Sequence, residues 1–342
     1  MYSCKEKAYA KVNLTLDILG VKDGYHLLDS LVIALDLYDL ITVKKRKDGK
    51  IRVFSRGEGS ESIPEEKNNA YKAAVAFQSE FSCGGAEISV FKNIPVGAGL
   101  GGSSADAAGA LRAMKKLFGV APSPENERKI LAIADGTGSD VRAMYTGGAC
   151  RMRGRGETVT DIFSSYAETL GEDSRGAAGG QAAALAKARE EICADKNAEK
   201  NAEKNAKRAY FLLICPPTGV STPDCFRLFD EQKKLYAPAT EEAVRLYRRG
   251  DLQGLGKTVK NDLQSAACAL NPHVQTAISE AAAFSPLGYG MTGSGSAAFA
   301  LFDSREMLDW AKSRYKGAFR TVAAESVVPK KKTLFSAFSL RG

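Results

Sequence analysis

Residues 95–114 read PVGAGLGGSSADAAGALRAM, a run of small and flexible residues that passes directly into a helix-favouring sequence. Gly97, Gly99, Gly101 and Gly102 permit backbone angles and close approaches that a Cβ forbids, so this loop can turn its amides toward a bulky anion. Ser103 and Ser104 add hydroxyls. From Ala105 onward the alanines, with Leu111 and Met114, favour a helix, and Asp106 is expected in its first turn, where a carboxylate suits the positive end of the dipole. A glycine-rich loop feeding a helix N-terminus favours phosphate over a plain flexible turn.

Two familiar phosphate motifs do not fit. Gly97, Gly99 and Gly102 satisfy G-x-G-x-x-G, but a dinucleotide fold needs a strand after the helix, and this chain continues with Pro122, Pro124 and a second helical segment. Residues 254–258, GLGKT, imitate the end of a Walker A loop, yet Asp251 stands where its first glycine belongs and no strand precedes it.

A chain of 342 residues with 44% hydrophobic content can bury a sizeable core, and its length suggests two domains. Neither a membrane-length apolar run nor a signal peptide is present, so a cytoplasmic location without membrane association is expected. Cys4, Cys83, Cys150, Cys193, Cys215, Cys225 and Cys268 are scattered without a C-x-x-C pair and read as free thiols, not a zinc site. A net charge of +8 invites a nucleic-acid partner, but much of the excess sits in 195–208, DKNAEKNAEKNAKR, and in 330–332. With no nucleic-acid module visible, a solvated surface and an anionic small molecule are the better reading.

The opening alternates as a strand does, Val12, Leu14, Leu16 and Ile18 on one face and Asn13, Thr15 and Asp17 on the other, with Lys11 on the side of Asn13. Asp23-Gly24 is a hairpin turn, followed at once by Tyr25 and His26. Apolar segments at 31–37 and 40–43 continue a β-rich opening. Residues 64–81 have the spacing of an amphipathic helix, 86–92 of a strand leading into the glycine loop, and 124–134 of another helix. Asp140 follows Gly138-Ser139, where a carboxylate could be no more than a helix N-cap. Residues 164–207 are Ala-, Lys- and Glu-rich with a repeated KNAE unit, too poor in large apolar groups for a core. Beyond them come strands at 210–215, 297–302 and 319–327, helices starting near 223, 241, 274 and 305, and a glycine turn at 291–296.

The succession AYAKVNLTLDILGVKDGYHLLDS, PVGAGLGGSSADAA, GSDV and MTGSGSAAFALF closely resembles the GHMP family of small-molecule kinases over nearly the whole chain outside 164–207. The DGYH turn, Asn261-Asp262-Leu263 and VSTPDCFRLFD at 220–230 resemble members that act on a cytidine-diphosphate-linked methylerythritol in non-mevalonate isoprenoid precursor synthesis. This resemblance implies an α+β, two-domain fold: an N-terminal ribosomal-protein-S5-like domain over 1–163, the insert over 164–207, and a C-terminal split βαβ, ferredoxin-like domain over 208–342. It also implies ATP and Mg²⁺ as cofactors. Pro95, Val96, Gly97, Ala98, Gly99, Leu100, Gly101, Gly102, Ser103 and Ser104 would wrap the phosphates. Asp140 would accept the hydroxyl proton, with Lys11 keeping it ionised and Asn13 orienting the acceptor. Tyr25, His26 and Phe226 would hold cytosine, with Thr222 beside them.

Two departures stand out. Many relatives read GGGSS where this chain reads GGSSA, leaving open which serine approaches the metal, and Arg142-Ala143 replaces a common Pro-Phe after the aspartate. A kinase for another alcohol, such as homoserine or mevalonate, would not need the DGYH turn or Phe226. A non-catalytic sensor of the same fold would be expected to lose Lys11 or Asp140. Oligomeric state stays open between monomer and homodimer.

Overall fold

The protein is described here by a computed structural model that covers residues 2–57, 59, 64–163, 207–232 and 236–327. The expected insert, apart from residue 207, and the lysine run at 330–332 lie outside the described residues.

A long hairpin organises the first half. Strand β1 (Ser3–Lys22) and strand β2 (Tyr25–Arg46) pair antiparallel along their length. Their turn is Asp23-Gly24, with φ of 52° and 77°, the left-handed pair that matches the twist of a tight hairpin. The segments expected at 31–37 and 40–43 are thus one strand. Beyond it come β3 (Ile51–Arg56), α1 (Asn69–Phe81) and β4 (Gly85–Phe91), with β3 and β4 parallel across the helix. The chain continues through α2 (Gly102–Phe118), α3 (Pro124–Thr137), α4 (Val141–Thr146), β5 (Ala149–Gly154) and β6 (Thr158–Asp161).

The helix expected over 64–81 begins only at Asn69. Asn68 caps it by accepting the Ala70 amide, and residues 65–67 form a 3₁₀ turn. Conversely α2 begins at Gly102, earlier than expected, which carries Asp106 past the first turn and into the interior.

The second half builds a four-stranded sheet from β7 (Tyr210–Cys215), β9 (Gly288–Met291), β10 (Ala298–Phe302) and β11 (Arg320–Glu325), in the order β11-β7-β10-β9. All its pairings are antiparallel, the order expected of a split βαβ unit. Its helices are α5 (Thr222–Gln232), α6 (Thr240–Arg249), α7 (Leu252–Gly256), α8 (Gln264–Leu270), α9 (Pro272–Ala282) and α10 (Arg305–Arg314). The GLGKT stretch thus ends a short helix and carries no phosphate loop.

The two halves are stitched at β1. A two-residue strand, β8 (Lys260–Asn261), extends the first sheet by pairing parallel with Thr15 and Leu16. The polar face of β1 is closed off from solvent, Asn13, Thr15 and Asp17 being 1%, 0% and 1% exposed. Alternation reports polarity, not solvent, and here the polar face meets polar partners from the second half. Asp17 accepts from the amides of Ala239 and Thr240, the Thr240 hydroxyl and Lys260 Nζ. Asp262 accepts from the Ile18 amide.

Candidate active site

Register shifts in β1 fall between Tyr9 and Lys11 and between Asn13 and Thr15, so Lys11 and Asn13 are bracketed by irregularities that re-aim side chains. Lys11 Nζ donates to Asn13 Oδ1 at 2.5 Å and lies 3.3 Å from Asp140 Oδ2. The lysine is 4% exposed at its side chain and the aspartate 28%, a buried cation holding a carboxylate that still meets solvent. Asp140 occupies the N-cap position of α4 but makes no capping hydrogen bond. Its carboxylate is therefore committed to Lys11, not to the helix end.

Asn13 is a hub. Its Oδ1 also accepts from the Gly293 amide at 3.1 Å, its Nδ2 donates to Ser30, and its own amide donates to the Thr292 hydroxyl. Asn261 Nδ2 donates to the carbonyls of Met291 and Gly293. The glycine turn at 291–296 is thereby tied to the lysine.

The same turn holds the loop at 95–102. Ala297 donates its amide to the Ala98 carbonyl at 3.0 Å, and Lys11 donates its amide to that of Leu100. Gly99 has φ of +76°, and a Cβ there would stand 2.4 Å from the Thr292 carbonyl oxygen. Gly101, at φ +72°, directly precedes α2, and its missing Cβ would fall 2.4 Å from Met144 Cε. Ser103 is exposed and Ser104 half-buried. Ser104 Oγ lies 3.9 Å from where a Cβ on Gly138 would be, so this serine faces the segment that carries Asp140.

Beneath the loop lies a buried triad that the sequence reading missed. Lys92 Nζ donates to Asp106 Oδ2 at 2.7 Å and to Asp39 Oδ2, while Asp39 Oδ1 accepts from the amides of Asn93 and Ile94. Burial works against the Lys92 ammonium, but the two carboxylates outweigh it and raise its pKa. Burial pushes Asp106 up to about 8. Asp106 thus belongs to this charge cluster and not to the helix dipole.

The remaining expected residues gather where the hairpin meets α5. The His26 ring stacks on Phe226 with centroids 4.6 Å apart and planes at 30°, and Phe229 meets it edge-on. His26 Nε2 is 2.8 Å from Asp230 Oδ1. Tyr25 is not in that stack: the residue is 57% exposed and its ring lies under the Arg155 guanidinium, which is 4.0 Å from the centroid. Thr222 shares a hydrogen bond with Ser294 at 2.7 Å, joining the start of α5 to the glycine turn. Arg142 turns to Asp135 on α3, and Ala143 is buried. Among the described residues no cluster of three or more His, Cys, Asp or Glu could hold a metal ion, and no helix is long and apolar enough to cross a membrane.

Residues 68–148 match the GHMP kinases N terminal domain, and residues 240–319 match GHMP kinases C terminal. Over 324 residues the chain is 31% identical to a 4-diphosphocytidyl-2-C-methyl-D-erythritol kinase of Clostridium beijerinckii, covering 93% of this chain and 99% of that protein. A Clostridium botulinum protein of the same name is 33% identical over 322 residues, with 92% and 98% covered. The crystal structure of a 4-(cytidine 5'-diphospho)-2C-methyl-D-erythritol kinase shares the fold at TM-score 0.66, 24% identical over 94% of this chain and 98% of that one. That of homoserine kinase from Cytophaga hutchinsonii does so at 0.63, 18% identical over 96% and 95%. With two family domains matched in sequence order and relatives of this identity aligned end to end, the chain belongs to the GHMP kinases, and among them to the family of the 4-diphosphocytidyl-2-C-methyl-D-erythritol kinases.

Proposed function

We propose that the chain transfers the γ-phosphoryl group of ATP to the 2-hydroxyl of 4-diphosphocytidyl-2-C-methyl-D-erythritol. The observation that carries this reading is the Lys11–Asp140 pair, 3.3 Å apart and set against the end of the glycine loop. Asp140 accepts the proton of the attacking hydroxyl. Lys11 orients the carboxylate and adds positive charge where phosphoryl charge develops. Asn13 acts through Lys11: it is 1% exposed and its bonds lie within the protein, so it fixes the ammonium without touching the acceptor. The amides of residues 97–102 cradle the phosphates, a task suited to a loop whose glycines leave its backbone bare. An intact catalytic pair argues against a non-catalytic sensor.

The donor set fits a magnesium ion shared with the nucleotide. Mg²⁺ takes few protein oxygens and keeps phosphate and water ligands, and Ser104, beside the segment leading to Asp140, supplies a hydroxyl. When bound, the ion neutralises charge on the phosphates. Cytosine sits beside His26 and Phe226, where stacking gives affinity and the histidine edge gives identity, with Tyr25 next in the chain but outside their stack.

ADP release measured with the cytidyl substrate, homoserine and mevalonate tests the assignment. Turnover confined to the cytidyl compound is expected, and faster turnover of either small alcohol would move the chain to another branch of the family.

A further inference from the structure

Helix α5 presents Phe226, Phe229 and Asp230 to a single partner, His26. The spacing of three and four residues puts these groups on one helical face. The imidazole is nearly enclosed, 16% exposed at its side chain, whereas Asp230 is half open at 52%. Two aromatic rings fix the plane of the imidazole, and the carboxylate fixes its rotation. For stability alone a polar contact this exposed contributes little. Its consequence is chemical: a carboxylate only accepts, so the Nε2 within 2.8 Å of it carries a hydrogen, and a neutral imidazole then keeps Nδ1 as a bare acceptor.

We propose that Asp230 is a specificity-determining positioning residue, which holds His26 in the Nε2–H tautomer so that Nδ1 accepts a hydrogen bond from the exocyclic amine of cytosine and rejects the carbonyl of uracil. The inference deepens the cytidyl reading and rests on it. The two pyrimidines differ at that edge only in donor against acceptor. A site that fixes its own polarity therefore discriminates, while stacking accepts both bases alike. Asp230→Asn reverses the logic at constant shape, because the amide can rotate to donate to Nε2 and so favour the opposite tautomer.

Two measurements test this on the full-length protein. The chain holds only two histidines, so nitrogen-15 NMR of labelled protein in mildly alkaline buffer resolves His26 once His273→Gln identifies the other. Wild type is expected to show a protonated Nε2 and a bare Nδ1, and Asp230→Asn to shift His26 toward Nδ1–H. The ratio of kcat/KM for the cytidyl substrate to that for its uridyl analogue is expected to fall about tenfold in Asp230→Asn, with KM for ATP and Tm unchanged. An Nδ1–H tautomer in wild type, or an unchanged ratio despite a shifted tautomer, overturns the proposal. If wild type itself uses both nucleotides equally, the cytosine reading is wrong and this inference falls with it, an outcome the wild-type kinetics reveal before any variant is made.

Discussion

At the level of single residues, the Lys11–Asp140 pair, proposed above as catalytic, shows how little separates a capping aspartate from a carboxylate free for chemistry. Asp140 stands at a helix start, where its carboxylate could close onto the first amides, yet it leaves them and faces Lys11. Asp140→Asn keeps the shape and removes the proton acceptor. Because phosphoryl transfer depends mainly on positioning and charge, a residual rate is expected, with kcat lowered on the order of a hundredfold or more while ATP still binds. Near-normal turnover in that variant would dismiss Asp140 as the base. Lys11, Asn13 and Asp140 were singled out through the resemblance of their short stretches to one family, and the structure brings the three side chains together. Lys92 and Asp39 were not: they are 53 residues apart, and nothing near Lys92 in the chain marks it as buried. Tyr25 and Phe226, two aromatics expected to hold the same base, stand apart in the structure, Phe226 against His26 and Tyr25 beneath Arg155.

At the level of elements, the glycine loop is held less by its own sequence than by the turn it rests on. Gly99→Ala would add a left-handed non-glycine residue and drive its Cβ to 2.4 Å from the Thr292 carbonyl, a backbone atom that cannot swing aside. Left-handed strain and overpacking together cost roughly 2–5 kcal/mol. Gly119→Ala is the control, with φ of +70° and nothing within 4 Å of its Cβ, so it bears the strain alone. Gly99→Ala is expected to raise KM for ATP more than tenfold and Gly119→Ala to leave it unchanged; equal KM values in the two would mean the loop does not depend on its seat. Asp17 makes a second test. Burial opposes its ionisation, but Lys260 and the Thr240 and Ala239 groups overcome this and hold its pKa below the ordinary 3.8. A depressed folded pKa means that the unfolded chain binds the proton first as pH falls. The stabilisation is therefore complete above about 3.8 and lost as pH drops through the lower folded value. Asp17→Asn should lower stability at neutral pH by about 2 kcal/mol, from hydrogen bonds to a charged group. Urea midpoints measured down the acid range should converge with wild type, and a gap independent of pH would exclude the ionised carboxylate as its source. Strands with clean alternation and helices with capping residues were legible; the four-residue β9 and the seven-residue α8 were not, since each is too short to show a period.

At the level of the whole molecule, the candidate site is assembled where the two halves meet. Lys11 and Asp140 come from the first half, while the turn that seats the glycine loop and the helix that holds His26 come from the second. Motif order along the chain made the two-part architecture legible, but composition could not show that the polar face of β1 is the seam between the parts. The low-complexity stretch stands between those halves in sequence, and its composition argues that catalysis does not need it. Across 173–206 there is no aromatic residue, and Leu185 and Ile192 are its large aliphatic side chains. Little apolar area is therefore available for it to bury, and chain length in a connection changes closure entropy only logarithmically, by about 0.6 kcal/mol per doubling. Anchors on both sides are independent of it: Arg248 Nε donates to the Ile162 carbonyl, and the Ala209 amide donates to the Ser326 hydroxyl. Deleting 173–206 is expected to leave Tm within a few degrees of wild type and kcat/KM for both substrates within about twofold. Limited proteolysis of the full chain should cut there first, giving two fragments that remain associated and active. If the deletion abolished turnover while Tm held, the stretch would have to reach the cleft, and the fragments' activity after cleavage would show whether its continuity or only its presence matters.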